Sequence, residues 1–149
     1  MARRKRKGGM MREILFKAKR KDNGEWVEGY YLNVAKINHF ICTGKIKLNG
    51  VVKGILAPEM YAIDPNTICQ YTGLTDKNGK KIWENDILKA HLDESYPQDI
   101  TYSKIIWSEC RFCINENHSS NIETLEKRDA EYFEVCGNIF DNPDLLEVE

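Results

Sequence analysis

Residues 70–88 read QYTGLTDKNGKKIWENDIL, and this stretch decides the fold. Asp76, Asn78 and Gly79 separate two short apolar segments, and Asn and Gly tolerate the positive φ that tight turns need. We therefore predict two short strands joined by a turn, with Gly79 at positive φ. A further strand is predicted to start at Asp86, directly after the second one.

Similar signals recur outward from this stretch in both directions. Short apolar or β-branched runs alternate with turn residues about every 8–12 residues, which is typical of a small barrel or sandwich. The sharpest hairpin signal is Asn49-Gly50 between two β-branched segments. The predicted strands are 12–20, 26–32, 37–43, 45–48, 51–52, 67–71, 81–83, 86–92, 100–107, 112–114 and 132–140.

Two further interpretations concern a connection and the tryptophans. Residues 58–64 predict a connection with at most one helical turn, because Asp64 precedes a proline and is pushed away from the α conformation. Trp26, Trp83 and Trp107 lie in apolar, strand-like contexts. We interpret them as core anchors rather than as a platform for stacking bases, because aromatic side chains gain most from burial.

Together these patterns predict a mainly β protein in three parts. Residues 1–10 form a disordered basic arm, residues 11–65 form N-terminal β-hairpins, and residues 66–149 form a small SH3-like barrel. The hairpins pack on the barrel and share its core. The only plausible boundary lies near residues 58–66, where turn residues interrupt the apolar pattern.

Composition limits the class of protein. The chain has 149 residues, of which 42% are hydrophobic and 30% charged, which is ordinary for a globular domain. No apolar run is long enough for a transmembrane helix, and no apolar segment follows the basic start as it would in a signal peptide. The expectation is a cytoplasmic protein. Its five cysteines, an odd number, argue against a disulfide framework.

Charge is distributed unevenly. The arm holds five of the 22 basic residues, so the remainder carries 17 basic and 23 acidic side chains, a balance of −6. An acidic body does not favour nucleic-acid binding, but the arm could contact phosphates. Alternatively, natural translation starts at Met10 or Met11. The arm residues are Arg3, Arg4, Lys5, Arg6 and Lys7.

One cysteine pair invites a metal hypothesis. Cys110 and Cys113 form a C-x-x-C, and a zinc site could be drawn with His118 and Cys136. However, side chains three residues apart on a strand point to opposite faces, and no glycine lies between the pair to form a tight knuckle. We therefore predict no metal and no cofactor, with this zinc site as the alternative.

Carboxylates offer a second chemical hypothesis. Glu84 and Asp86 could act with Asp76 and a divalent metal in a hydrolase or nuclease. The preferred interpretation is structural, because acidic side chains at the entry to a strand accept backbone N–H groups and shape turns. No P-loop, zinc helix, nucleophilic serine motif or dinucleotide fingerprint is present, so no motif indicates catalysis and a non-enzymatic protein is the preferred interpretation.

The stretch at 70–88 also resembles the signature of the YopX family, which temperate phages and prophages encode. Residues 11–18 resemble the family's opening strand, and residues 135–146 resemble its closing segment. Asn85 replaces the usual glycine, and asparagine can keep the same turn at positive φ. The signature residues, interpreted as structural, are Tyr71, Gly73, Asp76, Gly79, Trp83, Glu84 and Asp86.

The resemblance implies a phage origin and a β-rich fold, but no activity. The first hypothesis is a non-enzymatic accessory protein that binds a host or phage protein, with a homo-oligomer also possible. The second is a nucleic-acid binder that uses the basic arm. The third is the metal-dependent hydrolase or nuclease described above.

Overall fold

The computed structural model describes residues 12–48, 56–91, 95–96 and 98–147. Within these ranges the chain forms antiparallel β-strands, one helix and two 3-10 segments, and no helix is long and apolar enough to cross a membrane. The strands are β1 (Phe16–Lys19), β2 (Trp26–Val34), β3 (Asn38–Leu48), β4 (Leu56–Ala62), β5 (Cys69–Thr75), β6 (Lys81–Trp83), β7 (Asp86–His91), β8 (Ile100–Ser108), β9 (Arg111–Glu116), β10 (Ile122–Thr124) and β11 (Glu134–Asn138). The helix α1 is Lys127–Ala130, and the 3-10 segments are Pro65–Thr67 and Pro143–Leu146.

These strands form two sheets. The first has the order β4-β3-β2-β1-β5-β6, and the second has the order β10-β9-β8-β7-β11. Phe16 pairs with Gln70 and Lys17 pairs with Cys69, so β5 joins β1 in the first sheet. The predicted boundary at residue 65 therefore does not separate the sheets. The chain changes sheet between β6 and β7.

The mainly β fold is confirmed, but the second sheet is not the predicted SH3-like barrel. In the described ranges β10 and β11 are its two edges, and no pairing between them closes it. Its apolar face is covered by other elements, among them Ile82 of β6, the half-buried Leu74 of β5 and Ala130 of α1. Because these residues bury the sheet's core face, the sheet does not need to curl onto itself.

Three apolar clusters stabilise the two sheets. The largest lies on the second sheet and includes Leu88, Ile105 and Val135. A second is centred on Ala18, Ile41 and Ile63 of the first sheet. The third, with Cys69, Tyr71 and Trp83, lies on the opposite face of the first sheet and packs against Phe140. Elements from both halves of the chain therefore contribute to the third cluster.

The segment predicted as a connection at residues 58–64 is mostly strand β4, so that prediction was wrong. Met60 pairs with Cys42, and Ala62 pairs with Phe40. Pro58 is tolerated because β4 is the edge strand, where a missing N–H costs little. The Asn49-Gly50 turn lies outside the described residues, and Leu48 pairs with Leu56.

The tryptophan prediction is confirmed in part. Trp83 is buried, whereas Trp26 is half-buried and its ring centroid lies 5.9 Å from that of Phe140. Trp107 is 49% exposed, so its assignment to the core was wrong. It lies near the end of β8 and packs edge-on against Phe112 at 4.8 Å, beyond the elements that cover the sheet.

Glycine is required where β2 passes closest to β3. A Cβ added to Gly29 would lie 2.0 Å from the carbonyl oxygen of Cys42, far inside van der Waals contact. Any side chain there would push the two backbones apart. The close approach lets β2 pair with β1 up to and including Gly29 and with β3 from Tyr30 onward.

Candidate functional site

The turn between β5 and β6 is held by the carboxylate of Asp76, which is almost fully buried. One oxygen accepts the backbone N–H groups of Asn78 and Lys80, both at 2.9 Å. The other accepts the N–H of Val135 in β11, also at 2.9 Å. Asp76 therefore shapes its own turn and fastens it to the second sheet.

Gly79 closes the same turn. Its φ is +79°, as predicted, and its N–H donates to the carbonyl of Asp76 at 2.9 Å. Nothing lies within 4 Å of the position that a Cβ would occupy. Glycine is needed at this position for its backbone conformation alone.

Asn85 also adopts a positive φ, +68°, as its replacement of glycine implied. Its N–H donates to Ile105 at 2.9 Å, and its carbonyl accepts the N–H of Ile139 at 3.0 Å. The turn between the sheets is therefore bonded to both β8 and the segment after β11. We call Asp76, Asn85 and Asp86 the inter-sheet junction.

Asp86 is the buried acid of this junction, with 2% of its surface exposed. One oxygen accepts the N–H of Trp83 at 2.8 Å, and the other lies 3.3 Å from the ammonium of Lys17. Burial raises the pKa of Asp86, while Lys17 and the bond from Trp83 oppose that rise. Asp86 therefore accepts a backbone N–H of its own turn, and the structural interpretation of the signature residues stays a prediction.

Lys17 lines a cleft of about 400 Å³ between the two sheets. Its ammonium lies 4.8 Å from the ring centroid of Trp26 and 5.4 Å from that of Trp83. On the cleft wall, Asp141 pairs with Lys19 and accepts the indole N–H of Trp26 at 2.7 Å. The cleft therefore carries charges that largely neutralise each other. The sequence interpretation missed Lys17 and Asp141, whose partners are distant in the chain.

Glu84 does not complete a metal site with these acids. It is half-buried, and its backbone N–H donates to Gln70 at 2.9 Å. Burial raises the pKa of its carboxyl. No group of three His, Cys, Asp or Glu side chains in the described ranges could hold a metal ion.

The residues of the zinc alternative are also separated by the fold. Cys110 is exposed in the β8–β9 turn with φ +62°, whereas Cys113 is buried in β9. His118 lies in the turn after β9, and the thiol of Cys136 in β11 donates to the carbonyl of Ile87 at 3.3 Å. The basic arm, Arg3 to Lys7, lies outside the described residues, and nucleic-acid binding through it stays a prediction.

A continuous apolar surface covers the free half of the first sheet. Tyr30, on β2, lies opposite Cys42, which lies opposite Met60, so these three side chains share one face. Leu32 and Val34 follow Tyr30 at every second position and lie on the same face. Ile46, opposite Pro58, extends it. We call Tyr30, Leu32, Val34, Ile46 and Met60 the bare face.

The members of the bare face are large apolar residues with high exposure. Tyr30 is 57% exposed, Val34 50% and Ile46 66%. Scattered exposed apolar residues are ordinary, but a contiguous set on one sheet face is typical of an interaction surface. The alternation of Tyr30, Leu32 and Val34 was a signal available in the sequence, but only the pairing with β3 and β4 shows that the set is continuous.

The comparisons with known proteins agree with this fold. The model of the family described as YopX protein matches residues 15–147. The crystal structure of protein EF1440 from Enterococcus faecalis is similar, with a TM-score of 0.61 and 25% sequence identity, covering 90% of this chain and 98% of that one. No curated protein matches the sequence. Because the family match spans nearly the whole chain, this protein belongs to the YopX family.

Proposed function

We propose that this protein is a non-enzymatic binding module, and that its partner is a host or phage protein that docks an apolar segment on the bare face. The observation that carries the proposal is the contiguous exposure of Tyr30, Leu32, Val34, Ile46 and Met60 on one side of β2–β4. Leaving such side chains in water forgoes about 25 cal/mol for each Å² of apolar surface. A partner that covers them recovers this free energy.

The size of the bare face supports a short segment as its occupant. β4 has seven residues, so at about 3.3 Å per residue and about 4.8 Å between strands the three-strand face covers roughly 300 Å². A stable interface between two folded proteins buries about 800 Å² on each partner. The bare face is therefore too small to hold a second copy of this chain by itself, and it fits one extended apolar segment.

Site-specific photo-cross-linking tests the proposal. Benzoylphenylalanine in place of Val34 should cross-link one partner protein in cells that produce this chain naturally. Asn33 is the matched control, because it is the adjacent residue of β2, it is also exposed, and it lies on the other face. The same substitution at Asn33 should cross-link that partner at least about fivefold less.

A second variant tests whether the partner binds through the apolar side chains. Tyr30→Ser combined with Leu32→Ser should abolish the Val34 cross-link without lowering the melting temperature. Equal cross-linking at Val34 and Asn33 would contradict the proposal. A cross-link from Val34 to a second copy of the chain, with a dimer in sedimentation, would show that the occupant is this protein itself.

A further inference from the structure

We infer that a pocket on the second sheet binds an organic cation with an aliphatic stem, the chemistry of a lysine or arginine side chain or of a free alkyl amine. The pocket has a volume of about 240 Å³ and lies away from the bare face. Its floor includes Ala90, Ile114 and Phe133. This site is independent of the proposed protein-binding surface.

The carboxylates at its rim come from three different elements. Glu116 of β9 lies directly opposite Ser103 of β8, and Glu123 of β10 lies opposite Ile114. Paired residues of an antiparallel sheet project from the same face, so both glutamates stand on the side that carries the core. Asp129 of α1 lines the pocket from the covering layer. Together they give the rim three acidic groups.

These acids are not neutralised in the way that the charges of the inter-sheet cleft are. Glu116 and Glu123 form no ion pair within the described ranges, and no lysine or arginine lines the pocket. Asp129 is partly engaged, since it accepts the N–H of Glu126 at 3.0 Å and lies 3.9 Å from Arg128. A cation that enters the pocket would contact at least two carboxylates that have no ion-pair partner in the described ranges.

Ser103 supplies an independent indication of a ligand. Its side chain is 3% exposed and lines the pocket, yet its hydroxyl has no hydrogen-bond partner in the described ranges. Every fully enclosed side-chain oxygen or nitrogen in the described ranges has a hydrogen-bond partner. Because the Ser103 hydroxyl has none, it is not fully enclosed, and it faces the pocket that its side chain lines. A buried polar group that faces an open pocket is satisfied only by water or by a ligand that enters.

The volume and the apolar lining of the pocket indicate which class of cation would bind. Pockets for drug-sized molecules have volumes of about 300–1,000 Å³, so this one suits a single side chain or a small amine. An aliphatic stem would lie against Ala90, Ile114 and Phe133, while the charged head reaches Glu116 and Glu123. A bare metal ion would gain nothing from the apolar floor, and the acids are not arranged to coordinate one.

Titration with short peptides tests the inference, using NMR to follow the amide signals of Ser103 and Ile114. Acetyl-Gly-Arg-Gly-amide and agmatine should both shift these signals, which would assign the site to the shared cationic chemistry. Binding of the peptide alone would indicate a protein side chain, and binding of agmatine alone would indicate a free amine. The citrulline peptide, which is neutral and nearly isosteric, should bind at least about tenfold more weakly.

Variants locate the binding in the pocket. Glu116→Gln with Glu123→Gln should weaken arginine-peptide binding at least about tenfold and leave the fold intact by circular dichroism. Glu109→Gln is the matched control, because Glu109 is an exposed acid in the remote β8–β9 turn, and it should leave affinity unchanged. Equal binding of arginine and citrulline peptides would overturn the inference, as would unchanged affinity in the double variant or the same signal shifts with Ca²⁺ alone.

Discussion

One half of the first sheet is covered and the other half is bare, although both present aromatic side chains on the same face. Tyr71 and Trp83 are buried where β5 and β6 meet the segment after β11, whereas Tyr30 is mostly exposed on β2. Tyr71 and Tyr30 are the same residue type, so hydrophobicity does not decide which is buried. The inter-sheet junction decides it, because Asp76 and Asp86 hold the second sheet against one half only.

Gly29 marks the border between the two halves, and Gly29→Ala should be among the most destabilising substitutions. The new Cβ would overlap the Cys42 carbonyl oxygen, which lies 2.0 Å from its ideal position. We expect a loss of about 3 kcal/mol in the free energy of unfolding, because backbone must move to admit the methyl group. Urea denaturation measures it.

Gly79→Val provides a comparison in which backbone conformation alone matters. Gly79 has positive φ and open space around its Cβ position, so the loss should be smaller, but more than about 1 kcal/mol. If Gly29→Ala were the milder of the two substitutions, the close approach of β2 and β3 would not be a constraint on the fold.

Asp86→Asn should weaken the covered half next. Asparagine can still accept the N–H of Trp83, but it leaves the ammonium of Lys17 without its partner at 3.3 Å. Removing one member of a buried ion pair is costly, but burial already disfavours the charged carboxylate of Asp86. We therefore expect a loss of no more than about 1 kcal/mol at neutral pH. Adding Lys17→Met should recover part of the loss. A double variant less stable than Asp86→Asn would contradict the assigned role of the pair.

The pH dependence of the free energy of unfolding should distinguish Asp86 in the inter-sheet junction from Asp141 on the cleft wall. Burial raises the pKa of Asp86 above its ordinary 3.8, while the hydrogen bonds from Lys19, Trp26 and Asn138 lower the pKa of Asp141 to about 2. Just above pH 3.8 the folded protein holds a proton at Asp86 that the unfolded chain releases, so this group lowers stability as pH rises. Asp141 contributes stability above pH 3.8 that is lost as pH falls toward about 2.

Each contribution can be removed separately. The free energy of unfolding should be measured from about pH 2 to 7. Asp86→Asn should remove the decrease in stability that occurs as pH rises above 3.8, whereas Asp141→Asn should remove the decrease that occurs as pH falls below 3.8. Because Asp141 is substantially exposed, added salt should reduce its contribution more than that of Asp86. Identical pH profiles for the two variants would contradict the opposite pKa shifts.

Tyr30→Ser on the bare face should have the smallest effect. Because Tyr30 is already exposed, its loss should change the free energy of unfolding by less than about 0.5 kcal/mol. Tyr71→Ser is the matched control in the covered half, and should cost about 3 kcal/mol because Tyr71 is buried. Comparable losses at both positions, measured in urea, would show that the bare face is not bare in solution.

Local turn chemistry was the part of the fold that could be predicted from sequence. The positive φ of Gly79 and of Asn85, and the backbone bond to Asp86, depend on residues within four positions of one another. The signals that specify them are therefore contained in residues 70–88. The strands predicted at 100–107 and 112–114 also lie within β8 and β9, although β9 runs further, from Arg111 to Glu116.

Non-local pairing was the part that could not be predicted. β4 contains Pro58 and resembles a connection, and it becomes a strand through its pairing with β3. The pairing of β1 with β5 places β5 in the first sheet, so the chain changes sheet at the Glu84–Asp86 turn, which the predicted boundary at residue 65 did not indicate. The acidic pocket on the second sheet depends on the register that sets Glu116 opposite Ser103, and residue type alone does not fix a register.

Asp141 has a consequence for how the chain folds. Two of its side-chain partners, Trp26 and Lys19, precede it by 115 and 122 residues. Contacts between such distant residues require the entropy of a large loop to be lost before any bond forms, which slows folding. The local hairpins β1–β2 and β8–β9 can form early, whereas the wall of the cleft should close last. A folding intermediate that lacks this wall would expose Trp26, whose fluorescence would report the final step.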